Sequence, residues 1–139
     1  MKAIFLVFAG LIFFSCKKDD LRINPEIYGI WEFEHNAGYP FTNPVYPPGN
    51  GQIIVLSRNG RFERRQHDTV LFKGRFFLKE KEDCYLRERK IFFITNDPGY
   101  QPDMSIDIYA GKLALTTSNC YADGGISYYR RVQVSPDTP

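Results

Sequence analysis

The side chains of this chain that could do chemistry are few, and their spacing favours binding over bond making. His67 and Asp68 are the nearest thing to a catalytic pair. Adjacent strand residues point to opposite faces, so a direct His–Asp hydrogen bond is not expected there if the strand continues. His35 is the other of two histidines, and Cys16, Cys84 and Cys120 each stand without a second cysteine nearby, so no metal site is expected. There is no Gly-x-Ser-x-Gly elbow, His-Glu-x-x-His, phosphate-binding glycine loop or repeated Cys-x-x-Cys. The expectation is therefore no enzyme and no cofactor. Arg64 is the more informative residue. Phe62, Arg64 and Gln66 share one face of a strand, and an inward arginine needs a partner or water because an unpaired buried charge is costly. An inward Arg64 would make a partly polar cavity able to take a carboxylate. The alternative is a bulge near Arg64 that returns these residues to solvent.

The first residues bear on where these side chains are displayed. Lys2 precedes an apolar run from Ala3 to Phe14, about a dozen residues, which suits a signal-peptide core and falls short of the roughly 20 needed to span a bilayer. Phe13, Phe14, Ser15 and Cys16 resemble the lipobox of bacterial lipoprotein signal peptides, with Phe14 departing from the small residue usual at its place. The resemblance implies cleavage after Ser15 and acylation of Cys16, giving a membrane anchor of two or three chains at roughly 0.8 kcal/mol per buried CH2. The alternative is an ordinary secretory signal with an incidental Cys16. Lys17, Lys18, Asp19 and Asp20 resemble the short lysine-plus-acidic export sequence of some Bacteroidota lipoproteins, or form a plain solvated tether. An outer-membrane lipoprotein on the periplasmic face or the cell surface is expected. With Cys16 lipidated, Cys84 and Cys120 remain in a compartment that tolerates disulfides. A bridge between them would close a loop of about 36 residues and stabilise by roughly 3–4 kcal/mol. Two buried free thiols are the competing reading.

Charge excludes one class of partner. The formal charge of +2 includes Lys2, which leaves with the signal. Arg61, Arg64, Arg65, Arg87, Arg89 and Lys90 are interspersed with Glu63, Glu80, Glu82, Asp83 and Glu88, as on a solvated face, so no nucleic-acid partner is expected. The organisation expected is a signal peptide over residues 1–15, a lipidated tether over 16–26, one domain over 27–134 and a frayed tail over 135–139.

The elements that must position these residues read as strands. Trp31 and Phe33 alternate with Glu32 and Glu34, which places the two aromatics inward. Residues 52–58 and 61–66 flank Asn59-Gly60, a dipeptide suited to the positive φ angles of a tight hairpin. In residues 70–79, Phe72, Gly74, Phe76 and Leu78 share a face, and Gly74 is expected to mark a bend or bulge. Further strands are expected over 91–95, 104–109, 112–117 and 126–132, with a turn-rich loop over 96–103. No helical period extends over ten residues. About eight short strands argue an all-β antiparallel barrel or sandwich. Between the first two strands, residues 36–51 form an unusually long connection in which Tyr39, Phe41 and Tyr46 are stiffened by prolines. They could form a lid or stacking platform for an apolar molecule or sugar ring, or fold back over the barrel end.

The order of these motifs resembles the lipocalin-like domains of Bacteroidota lipoproteins: Tyr28-Gly29-Ile30-Trp31, the Asn59-Gly60 hairpin, Asp68-Thr69-Val70 leading to Gly74 and Phe76, and Cys120 through Asp123-Gly124 to Tyr129-Arg130-Arg131-Val132. The resemblance covers nearly all of the mature chain. It implies an up-and-down barrel whose Trp31 packs at the closed end under Arg130 or Arg131, a cation–π contact of about 0.5–2 kcal/mol. It also implies an open end that binds a small apolar or amphipathic ligand near Tyr39, Phe41, Tyr46 and Arg64. The alternative is a non-catalytic interaction or accessory subunit on the outer membrane, its barrel filled by Phe72, Phe76, Phe93 and Leu115.

Overall fold

Alternation of apolar and polar residues gives every strand one buried face, and eight such strands close on themselves. The computed structural model describes residues 23–38, 44–84, 87–100, 104–117 and 124–132. The strands are β1 (Gly29–Ala37), β2 (Gln52–Leu56), β3 (Arg61–Gln66), β4 (Thr69–Glu82), β5 (Arg89–Thr95), β6 (Met104–Tyr109), β7 (Lys112–Thr117) and β8 (Ile126–Arg131). Each pairs antiparallel with the next and β8 pairs with β1, so the chain is an all-β, closed, up-and-down barrel. No helix among the described residues is long and apolar enough to cross a membrane.

The topology puts the connections before β2, β4, β6 and β8 at one end of the barrel. The N-terminal entry and the β2–β3, β4–β5 and β6–β7 turns are at the other. That second end is closed. Ile27 is buried, its carbonyl accepts the Trp31 indole N–H at 2.8 Å, and Ile23 packs against the core. Pro25–Ile27 form a 3-10 turn whose Asn24 side chain accepts from the Glu26 amide. The linker expected up to Glu26 thus differs in the structure: its last residues belong to the barrel floor, because Ile23 and Ile27 are apolar and the floor needs covering. Above them Trp31, Leu56, Phe62, Phe76, Phe93, Ile106, Leu113 and Leu115 fill the interior.

Three local expectations are corrected. Only Gly60 of the Asn59-Gly60 pair has positive φ; the Ser57 carbonyl accepts from Gly60 N and the Asn59 side chain accepts from Arg61 N, a turn that ends β2 at Leu56 instead of Arg58. Gly74 marks no bulge, since it pairs in register with Phe62. The irregularity lies where Arg64 pairs with Phe72 and Arg65 with Val70, leaving Leu71 as the extra residue. A ring, not a bend, explains Gly74: a Cβ there would stand 2.5 Å from the Phe72 side chain. Closure is also uneven. β5 and β6 share two residue pairs, whereas β4 and β5 share seven, so the lower half of β5 follows β4 away from β6.

Candidate ligand-binding site

The end opposite the floor is hollow. β1 is bulged at Glu34, so Trp31 and Phe33 face in before the bulge and Asn36 faces in after it, opposite Ser127. With Gln52 and Ile54 of β2, Arg64 and Gln66 of β3, Tyr100, Met104, Thr117 and Tyr129, the residues Phe33, Asn36 and Ser127 line a cavity of about 490 Å3. Because the strand alternation continues into the upper barrel with polar residues at inward positions, the walls change from apolar at mid-height to amide and hydroxyl groups near the mouth.

Arg64 faces inward, and its partner is Asp97 in the β5–β6 connection. Arg64 Nε donates to Asp97 Oδ2 at 2.7 Å and Nη2 donates to Oδ1 at 2.8 Å. The Asp97 side chain is fully buried, while 30% of the Arg64 side chain is exposed toward the cavity. Gly99 N also donates to Asp97 Oδ1, and Thr95 Oγ1 accepts from Asp97 N. Burial pushes the Asp97 carboxyl up, but the Arg64 and Gly99 hydrogen bonds and the Arg64 charge outweigh it and hold the group below its usual range. A Cβ at 99 would come within 2.7 Å of Arg64 Nη2, so any larger residue there would have to move the guanidinium that Asp97 holds. Beside this pair the hydroxyls of Tyr100 and Tyr129 stand 3.3 Å apart, and burial raises both phenols above their ordinary value. Both remain protonated, neutral donors at physiological pH.

One rim of the mouth is fixed by carboxylates on the outside of β1. Glu32 accepts the backbone N–H groups of Gly49 at 3.0 Å and Gly51 at 3.2 Å. Glu34 accepts from Lys112 Nζ at 2.5 Å, a bond that lowers its carboxyl against the opposing effect of burial. Arg130 lies between the two carboxylates and donates to the Tyr46 carbonyl, and Tyr46 N donates to Glu34 O. Residues 46–51 of the connection are thereby laid over β1, and Tyr46 places its ring 5.6 Å from Phe33 at the cavity edge. Glu32 is 5% exposed. Glu32→Ala is therefore expected to lose about 1–3 kcal/mol and to raise hydrogen exchange at Gly49 and Gly51 more than elsewhere; unchanged protection at both amides would contradict the latch.

Of the residues expected at the site, Arg64 and Tyr46 line the cavity, and Tyr39 and Phe41 lie outside the described residues, as do Cys16 and Cys120. Arg131, and not Arg130, lies over Trp31, with its guanidinium 4.3 Å from the ring centroid. Gly29, at φ 151°, lets Arg131 cross the strand, since a Cβ would stand 2.6 Å from its Nη1. His67 and Asp68 fall in the turn between β3 and β4, where His67 Nδ1 meets Gln66 Nε2 at 3.2 Å. Among the described residues no cluster of His, Cys, Asp or Glu could hold a metal. Phe33, Asn36, Gln52, Asp97, Tyr100, Ser127 and Tyr129 were not singled out as site residues from the sequence. Asp97-Pro98-Gly99 carried a partial signal, because an aspartate opening a turn at the end of a strand is a candidate partner for an inward Arg64, though Asp68 offered another.

Comparison with family models, with curated proteins and with solved structures finds no match to this chain.

Proposed function

We propose that this protein is a membrane-anchored lipoprotein whose lipocalin-like barrel binds a small amphipathic molecule at its open end. The observation that carries the reading is the cavity of about 490 Å3 with the Arg64–Asp97 pair in its wall and Phe33, Tyr46, Tyr100 and Tyr129 around it. Such a volume, with a few convergent polar groups on aromatic walls, is typical of small-molecule sites. The interior below is packed, so the filled barrel imagined for an accessory subunit describes the lower part only. Anchoring rests on the lipobox-like residues Phe13 to Cys16. The proposal includes a Cys84–Cys120 disulfide, which would tie the β4–β5 arm to the connection before β8.

Phe77 and Ile94, opposite each other on the outer face of β4 and β5 and 62% and 36% exposed, favour a second reading as a protein-interaction surface. Native mass spectrometry of protein purified from its own host tests the set. The expected result is a chain starting at Cys16 with acyl groups, lighter by two hydrogens before reduction, and carrying a dissociable small molecule. A bare mass that does not change on exposure to lipid or glycan extracts would count against the binding role. A mass for an unacylated Cys16 would remove the anchor.

A further inference from the structure

We infer that the open end takes a water-soluble, uncharged ring bearing several hydroxyl groups, a sugar ring in chemical terms, and not an acyl chain or an organic anion. This rests on the small-molecule reading above and narrows it. The first support is charge. Arg64 is the inward cation of the cavity, and Asp97 already neutralises it through two hydrogen bonds. Arg65, at the cavity edge, is held by Glu63. An anion entering here would give up water for an ion pair whose charge is already satisfied, and desolvation would not be repaid. The Arg64 Nη1 edge, which makes neither bond to Asp97, remains a donor suited to a neutral oxygen.

The second support is the pattern of polar groups. Gln52 carries an acceptor and two donors, Asn36 and Gln66 carry amides only partly used within the wall, and Ser127, Tyr100 and Tyr129 add hydroxyls, whereas Thr117 Oγ1 is taken up by Gly125. Groups that both donate and accept match ligand hydroxyls, which do the same. The Phe33, Tyr46 and Tyr129 rings, in contact at 5.5–5.6 Å, supply an aromatic wall for the C–H face of a ring. The third support is depth. Tyr100 stacks edge-on to Phe62 and Phe93 at 5.5 and 5.8 Å, and Phe62, Phe93 and Leu115 are at most 1% exposed, so the cavity ends there with no channel for a long tail.

Orientation agrees. The chain enters at the closed end, where Ile23 packs on the core. Six residues separate Ile23 from Cys16, and the span between the two is at most about 25 Å. An anchor at Cys16 therefore holds the floor toward the bilayer and leaves the mouth facing water. A ligand drawn from the aqueous phase fits that placement better than one drawn from the supporting membrane.

The test uses the full chain, labelled with nitrogen-15 in detergent micelles, and four probes: cellobiose, chitobiose, methyl glucoside and its charged counterpart methyl glucuronide. Decanoate serves as the acyl competitor. Amide shifts at Gln66, Gly99 and Ser127 are expected to saturate with at least one neutral sugar and to stay unchanged with decanoate, and glucuronide is expected to bind about tenfold more weakly than glucoside. Gln66→Leu, which removes one hydrogen-bonding side chain at the mouth without touching the Arg64–Asp97 pair, should weaken sugar binding about threefold to tenfold. Saturating shifts with decanoate, tighter binding of glucuronide than of glucoside, or no shift with any neutral sugar would overturn the assignment. Shifts with decanoate alone would refute the sugar class and leave the small-molecule reading standing, whereas silence from every probe together with a bare mass from the host would refute both.

Discussion

Trp31→Ala is expected to destabilise the barrel by about 4 kcal/mol, the largest single-residue effect in the chain. Trp31 is 1% exposed and is the sole tryptophan. Its loss empties the floor, leaves the Ile27 carbonyl without its 2.8 Å donor and removes the surface on which Arg131 lies. Arg131 also donates to the Tyr28 and Glu26 carbonyls, so the floor loses the ring that organises three chain segments together. The fall in Tm should be roughly 10–15 °C, read by circular dichroism because the fluorescent reporter is gone. Arg131→Met, which keeps the stem over the ring, should cost only about 0.5–2 kcal/mol. A Trp31→Ala protein within 1 kcal/mol of the parent would show that the closed end is not a source of stability.

Arg64 and Asp97 predict an asymmetric pair of effects. Arg64→Met strands a carboxylate that is fully buried, and should cost about 3 kcal/mol, the low end for breaking a buried pair because Gly99 N still donates to Asp97. Asp97→Asn leaves Arg64 with water in the cavity as an alternative partner, and should cost about 1–2 kcal/mol. The double variant Arg64→Met, Asp97→Asn should be more stable than Arg64→Met alone, since no buried charge remains. pH gives a second readout. Asp97 is held below its unfolded value, so its contribution is fully present above the ordinary aspartate range near ~3.9 and is lost as pH falls through the folded value. Urea melts between neutral pH and the acid limb should therefore show a steeper loss for the parent than for Asp97→Asn. Equal acid slopes, or an Arg64→Met protein more stable than Asp97→Asn, would contradict the pairing.

Both predictions concern residues only half legible in the sequence. That Trp31 faces in follows from its alternation with Glu32 and Glu34, a local signal that survives into any sheet. Which arginine meets it does not follow, because Arg130 and Arg131 are adjacent and face opposite ways. The choice is made by the pairing of β8 with β1, residues a hundred positions apart, and by the bulge that takes Glu34 out of step. That Arg64 shares a face with Phe62 and Gln66 followed from alternation, but whether that face stays inside did not: the bulge near it falls on the β4 side, at Leu71, and so leaves Arg64 and Gln66 inside. The long proline-rich connection was legible as unusual, but the seat of residues 49–51 on the outside of β1 depends on Glu32 accepting two distant backbone amides.

By itself the sequence determined the period-2 strands, the hairpin turn at Asn59-Gly60, the all-β class and the absence of recognisable catalytic motifs. All of these are encoded within a few residues, where backbone sterics and side-chain alternation act. The tertiary structure alone decided that the barrel is packed below and hollow above, that Asp97 neutralises Arg64, and that the mouth lies opposite the end where the chain enters. Those properties depend on long-range register and on volume left unfilled between strands, and no local pattern records the sum of side-chain sizes around a closed ring.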